Sequence, residues 1–226
     1  MERGMKKMSN SSLVTYTKIS PNKTVMSNKK ITHIVIHHMA GCLTIQQCGN
    51  VFANKNRQAS SNYGVDSDGI GLYVDEKDRA WTTGSREIDQ KAVTIEVSNS
   101  ETGGDWPVSD AALKNTIKLC ADICKRNGIK ELKYTGDKSG NLHVHRWYQS
   151  TLCPGPYLYG KMPYIASEVN KILNGSAEKP AQPSTPAKGK LYRVQVGAYK
   201  NLTNAERMRA TLKQAGFEAF IQEIDV

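Results

Sequence analysis

A proline-rich stretch near the carboxyl end divides this chain of 226 residues into two unequal parts. Residues 175–190 contain three prolines, lack large apolar side chains and show neither helical nor strand periodicity. This composition is typical of a semi-extended linker, because it offers too little apolar surface to fold on its own. The regular patterns restart at residue 191. We therefore expect a first domain over residues 1–174, a linker over residues 175–190 and a second unit over residues 191–226.

The first part alternates between strand and helix patterns. A polar, irregular lead-in over residues 1–30 precedes a short β-branched run at residues 31–38, which predicts a buried strand. Further strands are predicted over residues 61–69 (ending in a turn), 71–74, 92–98 and 142–147. Helical spacing predicts helices over residues 44–57, 109–127 and 162–173, with Ser109 capping the second and Gly128 ending it. Because the two kinds of element are interspersed, we expect one α/β domain.

The chain carries a formal net charge of +10, and such an excess favours a polyanionic partner. Nucleic acid, a membrane surface and the anionic polymers of bacterial walls would all qualify. The basic residues form no long block and do not interleave with aromatic residues, so an ordinary solvated basic surface also explains the charge. No apolar run approaches the ~18–20 residues of a membrane span. The first residues lead into no apolar segment, so we expect synthesis in the cytoplasm without a signal peptide.

Histidine and cysteine residues supply the candidates for chemistry. His37 and His38 end the first buried strand, and adjacent strand residues face opposite sides, so at most one of them points into a given site. His143 and His145 share one face of a later strand, and Cys153 follows across a loop. Two imidazoles and a thiolate suit Zn²⁺ and leave its fourth position open for water. Of the five cysteines, Cys120 and Cys124 lie one helical turn apart and are expected to pack in the core.

Four short motifs resemble those of the zinc-dependent N-acetylmuramoyl-L-alanine amidases, which share a fold with peptidoglycan-recognition proteins. They are Ile-Val-Ile-His37-His38, Ser-Asp68-Gly69, Val-Thr-Ile-Glu96-Val, and His145-Arg146 followed by Cys153-Pro154-Gly155. The resemblance covers about residues 30–173 and implies a mixed central β-sheet flanked by helices. It also implies that His37, His145 and Cys153 bind zinc, with His143 as a neighbour.

The same resemblance assigns the remaining catalytic roles. Glu96 would move protons during amide hydrolysis, although a strand glutamate is also commonly an ordinary salt-bridging residue. Thr151, two residues before the cysteine ligand, would stabilise the oxyanion. Many relatives carry a catalytic tyrosine where this chain has Ser61, and Tyr63 lies two residues away. Either Tyr63 reaches the site or Glu96 transfers the proton alone; we favour Glu96.

The tail has a resemblance of its own. Its pattern predicts a strand over residues 191–197, a helix over residues 204–215 and a strand over residues 217–224, a βαβ unit too small to bury a good core alone. Tyr192-Arg-Val-Gln195-Val-Gly197 and the following helix resemble the first half of a SPOR domain, which binds peptidoglycan glycan strands. A truncated remnant, a minimal wall-binding unit and pairing with a second copy all remain open.

The resemblances together imply a peptidoglycan hydrolase of the phage or prophage endolysin type, which cuts the amide between N-acetylmuramic acid and L-alanine. Its expected partner is cell-wall peptidoglycan, with no nucleic acid and no membrane insertion. It would accumulate in the bacterial host cytoplasm and act at the wall after release. The alternative is a non-catalytic peptidoglycan-binding protein, such as relatives that lack the cysteine ligand.

Overall fold

The structure, a computed structural model, describes residues 10–175, 201–214 and 219–223. The chain divides into two compact units, Met1–Ala177 and Glu178–Val226. Most of the predicted linker and the whole predicted strand at residues 191–197 lie outside the described residues. Among the described residues, no helix is both long and apolar enough to cross a membrane.

A six-stranded sheet forms the centre of the first unit. The described strands are β1 (Tyr16–Thr17), β2 (Lys23–Thr24), β3 (His33–His38), β4 (Tyr63–Val65), β5 (Ile70–Leu72), β6 (Arg79–Ala80), β7 (Ala92–Val97) and β8 (Leu142–Val144). The order in the large sheet is β1-β5-β4-β7-β3-β8, and β2 pairs with β6 separately. Only β4 and β5 run antiparallel within the large sheet; its other neighbours are parallel. The expected α/β fold with a mixed central sheet is confirmed.

Four described helices flank this sheet, and their caps follow the sequence. They are α1 (Ile45–Ala53), α2 (Arg86–Asp89), α3 (Asp110–Asn127) and α4 (Gly155–Leu173). The Ser109 hydroxyl accepts a hydrogen bond from the Ala112 amide at the start of α3, and Gly128 ends that helix at φ +70°. Left-handed backbone at a helix end favours glycine, so both predicted boundaries of α3 are confirmed.

The last helix of the first unit corrects a prediction. It begins at Gly155, whereas the sequence pattern predicted a start at residue 162. The Pro154-Gly-Pro156 segment suggested a loop, but a proline is tolerated in the first turn of a helix, where the amide has no partner within the helix. The predicted strand at residues 142–147 is likewise shorter, because a single 3₁₀ turn begins at His145.

The two faces of the sheet differ in what covers them. Ile34, Ile36 and Ile95 belong to the large apolar core, which also contains the buried faces of α3 and α4. On the other face, Tyr73 lies across Gly64 and Gly71, where a Cβ would overlap the phenol ring or its hydroxyl. Tyr73 therefore covers this face of the sheet over β4 and β5, whereas the part of the same face near β3 and β7 carries polar side chains.

Residues 10–30 of the amino-terminal lead-in are more ordered than their composition suggested. β1 pairs with β5 at the sheet edge, and the Ser11 amide donates to the Tyr63 hydroxyl at 2.9 Å. Ser20 and Asn22 are buried, where both side chains donate to the Phe52 carbonyl. These contacts between distant residues have no periodic signal, which is why the pattern of residues 1–30 predicted irregular chain.

The second unit is described in part. Its helix α5 spans Leu202–Gln214, so the predicted tail helix is confirmed. Residues 219–223, within the predicted strand at 217–224, have no strand assignment. A strand requires a paired neighbour, and the neighbour that the pattern predicts lies outside the described residues.

Candidate metal centre and active site

The carboxyl end of β3 positions two histidines on opposite faces of the sheet. His37 pairs in register with Glu96 of β7, so both side chains lie on the face that α1 and α2 partly cover. His38 packs on the other side, with its ring 5.2 Å from the Trp106 ring. Only His37 therefore reaches the polar end of the first face, as strand alternation predicted for one member of the pair.

The neighbouring strand brings the next two candidates to the same edge. Because β8 runs parallel to β3 and ends at Val144, His145 follows directly beside the end of β3. Its ring centroid lies 4.6 Å from that of His37. The chain then turns back, and the Arg146 amide donates to the Cys153 carbonyl at 3.1 Å. The potential ligand atoms of His37, His145 and Cys153 consequently lie within 4.8 Å of one another.

The chemistry of this cluster fits a zinc ion. Nε2 of His37 is buried and has no hydrogen-bond partner within the described chain, which is costly unless something binds it. Burial lowers the pKa of both His37 and His145, so the imidazoles are in the neutral form that metals bind. Burial also raises the pKa of the Cys153 thiol, and a bound cation would reverse that effect by holding the thiolate. Two imidazoles and a sulfur form a donor set that zinc commonly takes.

Glu96 lies next to this cluster with one oxygen unbonded. Its Oε1 is 3.9 Å from Nδ1 of His37, too long for a hydrogen bond, and its Oε2 is buried with no hydrogen-bond partner in the described chain. Burial raises the pKa of the carboxyl to about 8, and Arg57 offsets this only in part. In the metal-free protein, a carboxyl group with this pKa can both take and give a proton near neutral pH.

Thr151 lies two residues before Cys153, on the same loop. Its hydroxyl oxygen accepts a hydrogen bond from the Cys153 amide at 3.2 Å. The hydroxyl hydrogen remains free to donate, because this contact uses only a lone pair. The side chain is half-buried, so that hydrogen can still be donated to a bound molecule.

Tyr63 lies on the opposite face of the sheet from Glu96. Its ring is fully buried in the core, and its hydroxyl donates to Oε1 of Glu76 at 2.6 Å. Arg126 holds the same Glu76 carboxylate through both terminal nitrogens. Ser61 is also fully buried, and its hydroxyl contacts the Tyr63 and Thr94 carbonyls. The structure therefore places neither residue in the cluster around His37.

His143 is a neighbour of the cluster and has both ring nitrogens occupied. Nδ1 lies 2.7 Å from the Tyr148 hydroxyl, and Nε2 lies 3.0 Å from the Gly140 carbonyl. Its ring also packs at 4.9 Å against His33. A residue that the sequence analysis did not single out contacts His145 instead: the Gln149 side-chain oxygen lies 3.0 Å from Nε2. Gln149 is an exposed glutamine, and nothing in the sequence pattern shows that it contacts a histidine.

An α/β domain with two imidazoles, a thiol and a buried carboxylate at one sheet edge has the side-chain set of a metal-dependent hydrolase. Comparison with protein families identifies the class more closely. The family model of N-acetylmuramoyl-L-alanine amidases matches residues 27–156, more than half of the chain. The chain therefore belongs to this family. Its activity is that of a peptidoglycan hydrolase of the amidase type. The SPOR domain model matches residues 175–225.

Solved structures extend this comparison to the fold. PlyL superimposes with a TM-score of 0.57 at 18% identity, covering 68% of this chain and 95% of its own. The PlyG catalytic domain gives 0.55 at 15% identity, covering 75% and 98%. The Staphylococcus aureus hydrolase AmiA, solved with its ligand, gives 0.56 at 16% identity, covering 72% and 86%. A search of curated protein sequences finds no match. The resemblance to amidases is thus confirmed for the family and the fold, and the resemblance of the tail to SPOR domains is confirmed by its family match.

Proposed function

We propose that this amidase is a zinc enzyme of a phage or prophage, an endolysin that cuts the bond between N-acetylmuramic acid and L-alanine in host peptidoglycan. The observation that carries the proposal is the convergence of His37, His145 and Cys153 from three separate segments at one sheet edge. A non-catalytic protein has no need for that convergence, nor for a buried carboxylate beside it.

His37, His145 and Cys153 would hold the zinc ion. When bound, zinc activates a water molecule as a nucleophile and polarises the carbonyl of the scissile amide. The protein's contribution is to hold two imidazoles and a thiol close together before the ion arrives. The backbone hydrogen bond between Arg146 and Cys153 supports this, because it closes the loop that carries the Cys153 sulfur.

Glu96 would take the proton from the attacking water and deliver it to the leaving nitrogen of L-alanine. Its register with His37 supports this role, because the paired strands hold the two side chains next to each other. Thr151 would donate its hydroxyl hydrogen to the oxyanion that develops on the carbonyl oxygen. Burial strengthens both effects, because electrostatic interactions are stronger where water is excluded.

The domain organisation supports the endolysin role. We assign residues 1–174 to the catalytic domain, residues 175–190 to a linker and residues 191–226 to a wall-binding unit. The amidase match at residues 27–156 lies within the assigned catalytic domain, and the SPOR match at residues 175–225 includes the assigned linker as well as the wall-binding unit. The enzyme would act at the cell wall after release from the host cytoplasm, without membrane insertion and without nucleic acid.

Replacement of Cys153 tests the metal site. We expect purified wild-type protein to contain one zinc per chain and to clear cell walls, and we expect Cys153→Ala to lose both properties. Cys42→Ala is the matched control, because Cys42 is an exposed free cysteine outside the cluster. His143→Ala should keep the zinc, since both ring nitrogens already have partners. Full zinc occupancy in Cys153→Ala together with zinc loss in His143→Ala would show that the ligand set is different.

A further inference from the structure

Gln149 is fixed to His145 by both its backbone and its side chain. The Tyr148 and Gln149 amides donate to the His145 carbonyl at 2.8 and 3.3 Å, closing the 3₁₀ turn. The same turn brings the Gln149 side-chain oxygen to 3.0 Å from Nε2 of the His145 ring. The segment of residues 148–149 therefore contacts both the main chain and the imidazole of His145, a proposed zinc ligand.

The other side of Gln149 rests on a glycine from a distant part of the chain. Gly84 has φ +73°, and a Cβ at this position would overlap the amide nitrogen of Gln149 and lie 2.6 Å from its Cδ. Left-handed backbone and the close approach both require glycine here. Any larger residue at position 84 would push the Gln149 side chain away from its present position.

The turn that carries Gly84 is held by a buried carboxylate. Asp89 is 2% exposed and accepts hydrogen bonds from the Thr82 and Thr83 amides and from the Thr83 hydroxyl. These bonds fix the main chain immediately before Gly84. Gln149 itself is exposed, but the turn against which it packs is held in place by buried contacts.

We propose that Gln149 is a positioning residue that sets the zinc affinity of the site, and that Gly84 is the residue that lets it do so. The Gln149 oxygen accepts a hydrogen bond from Nε2–H of His145, which favours the tautomer with the proton on Nε2. Nδ1 is then the nitrogen whose lone pair can bind a metal. Hydrogen-bonding partners of this kind fix the tautomer and orientation of ligating histidines. The inference rests on the proposed zinc site.

A methionine at position 149 separates the hydrogen bond from simple packing. Gln149→Met keeps a chain of similar length but has no comparable acceptor, and we expect zinc to bind about 10–100-fold more weakly. Gln149→Glu keeps an oxygen acceptor, and we expect its zinc affinity to equal or exceed that of the wild type. Gln46→Met is the matched control, because Gln46 is exposed on α1 outside the cluster.

The role of Gly84 is tested by combining Gly84→Ala with Gln149→Met and comparing the zinc affinities of the single and double variants. Gly84→Ala should weaken zinc binding in the wild-type background, because the added Cβ displaces Gln149. The same change should have no further effect on affinity in Gln149→Met, where the hydrogen bond is already lost. This non-additivity is the signature of two residues that act through one contact. Equal effects of Gly84→Ala in both backgrounds would overturn the link.

Two measurements on the full-length protein decide the proposal. The first is the zinc dissociation constant of each variant, obtained by competition with a chromophoric chelator. The second is the tautomer of His145 in the metal-free protein, read from ¹H–¹⁵N correlations and assigned with His145→Ala. We expect the wild type to hold the Nε2–H tautomer and Gln149→Met to populate both tautomers.

The outcomes distinguish this proposal from the metal site itself. Unchanged zinc affinity and an unchanged tautomer in Gln149→Met would overturn the positioning role even if the wild type binds zinc tightly. Failure of the wild type to bind zinc would contradict the proposed metal site, and with it the claim that Gln149 sets a zinc affinity. A weaker metal affinity in Gln149→Met that Gln149→Glu restores would support the proposal, since a merely structural defect would not recover in this way.

Discussion

Replacing Glu96 by glutamine should lower catalysis and raise the stability of the metal-free protein at the same time. The carboxyl group is held in a buried position beside His37, without a hydrogen bond to Oε2 within the described chain. A carboxylate in such a place costs folding free energy when it is ionised. Glutamine has almost the same shape and carries no charge, so it keeps the packing and removes the cost.

The pKa of Glu96 sets the size and the pH dependence of this effect. Burial raises the pKa from 4.5 to about 8, so the folded protein binds the proton more tightly than the unfolded chain does. At pH values between these two pKa values, unfolding therefore releases a proton. The free energy of unfolding consequently falls as the pH rises through this range. At ~1.4 kcal/mol per pKa unit the full effect approaches about 4 kcal/mol near pH 8. Because 13% of the side chain remains accessible to water, we expect a gain of about 2–4 kcal/mol for Glu96→Gln.

Chemical denaturation of the metal-free protein measures this gain. Wild type and Glu96→Gln are unfolded after chelator treatment at several pH values from about 5 to about 8, and the difference should grow with pH. Glu87→Gln is the control, because Glu87 is 82% exposed and forms a surface ion pair with Lys91. Surface pairs of this type contribute little, so the control should change stability by less than about 1 kcal/mol. Turnover of the zinc-loaded Glu96→Gln should fall by about 10²–10⁴-fold.

One result would refute this reasoning. If Glu96→Gln is less stable than the wild type at every pH, Glu96 is an ordinary structural residue whose charge is satisfied in the folded protein. The carboxylate would then have an ion-pair partner in solution, and its assignment as the proton-transferring group would lose its physical basis.

Three further predictions address the other assigned residues and the tail. Tyr63→Phe should keep its zinc and its turnover but lose about 1–3 kcal/mol of stability in denaturation, because the Tyr63 hydroxyl forms hydrogen bonds with buried Glu76 and with the Ser11 amide. An inactive but fully stable Tyr63→Phe would instead show that Tyr63 takes part in catalysis. Thr151→Val should lower turnover with unchanged zinc content, and Thr151→Ser should restore it, whereas equal activity of both would exclude an oxyanion role. A chain ending at Asn174 should bind zinc and cleave soluble muropeptides at the full-length rate but sediment less with purified walls. If that difference disappears in about 0.5 M salt, the tail attaches by charge and not by recognition of glycan.

The elements that the sequence predicted well are those with local signals. β3 and β7 are runs of β-branched residues, and α3 has a capping serine and a terminal glycine, so each carries its own evidence. The two-residue strands β1, β2 and β6 have no periodicity, and only their partners in the folded chain define them. The start of α4 was missed because a proline and glycine signal is shared by loops and by first helical turns.

The candidate site divides in the same way. His37, His145 and Cys153 were predicted from motif resemblance, and the structure brings them together because β8 pairs with β3. The contact between Gln149 and Gly84 joins residues 65 positions apart. It depends on a positive φ and on a turn held by Asp89, neither of which has a signature in a single sequence. Residue types indicate which groups can react, whereas their supporting contacts follow only from the folded chain.

The bond that the enzyme cuts tests the central claim most directly. Purified peptidoglycan is digested with the full-length protein, and the new chain ends are identified by labelling free amino groups and by assaying reducing sugars. We predict new amino-terminal L-alanine in proportion to wall clearing, no increase in reducing ends, and loss of both clearing and new L-alanine in Cys153→Ala. New reducing ends would indicate a glycosidase, and new amino termini other than L-alanine would indicate an endopeptidase. Either result would contradict the amidase mechanism.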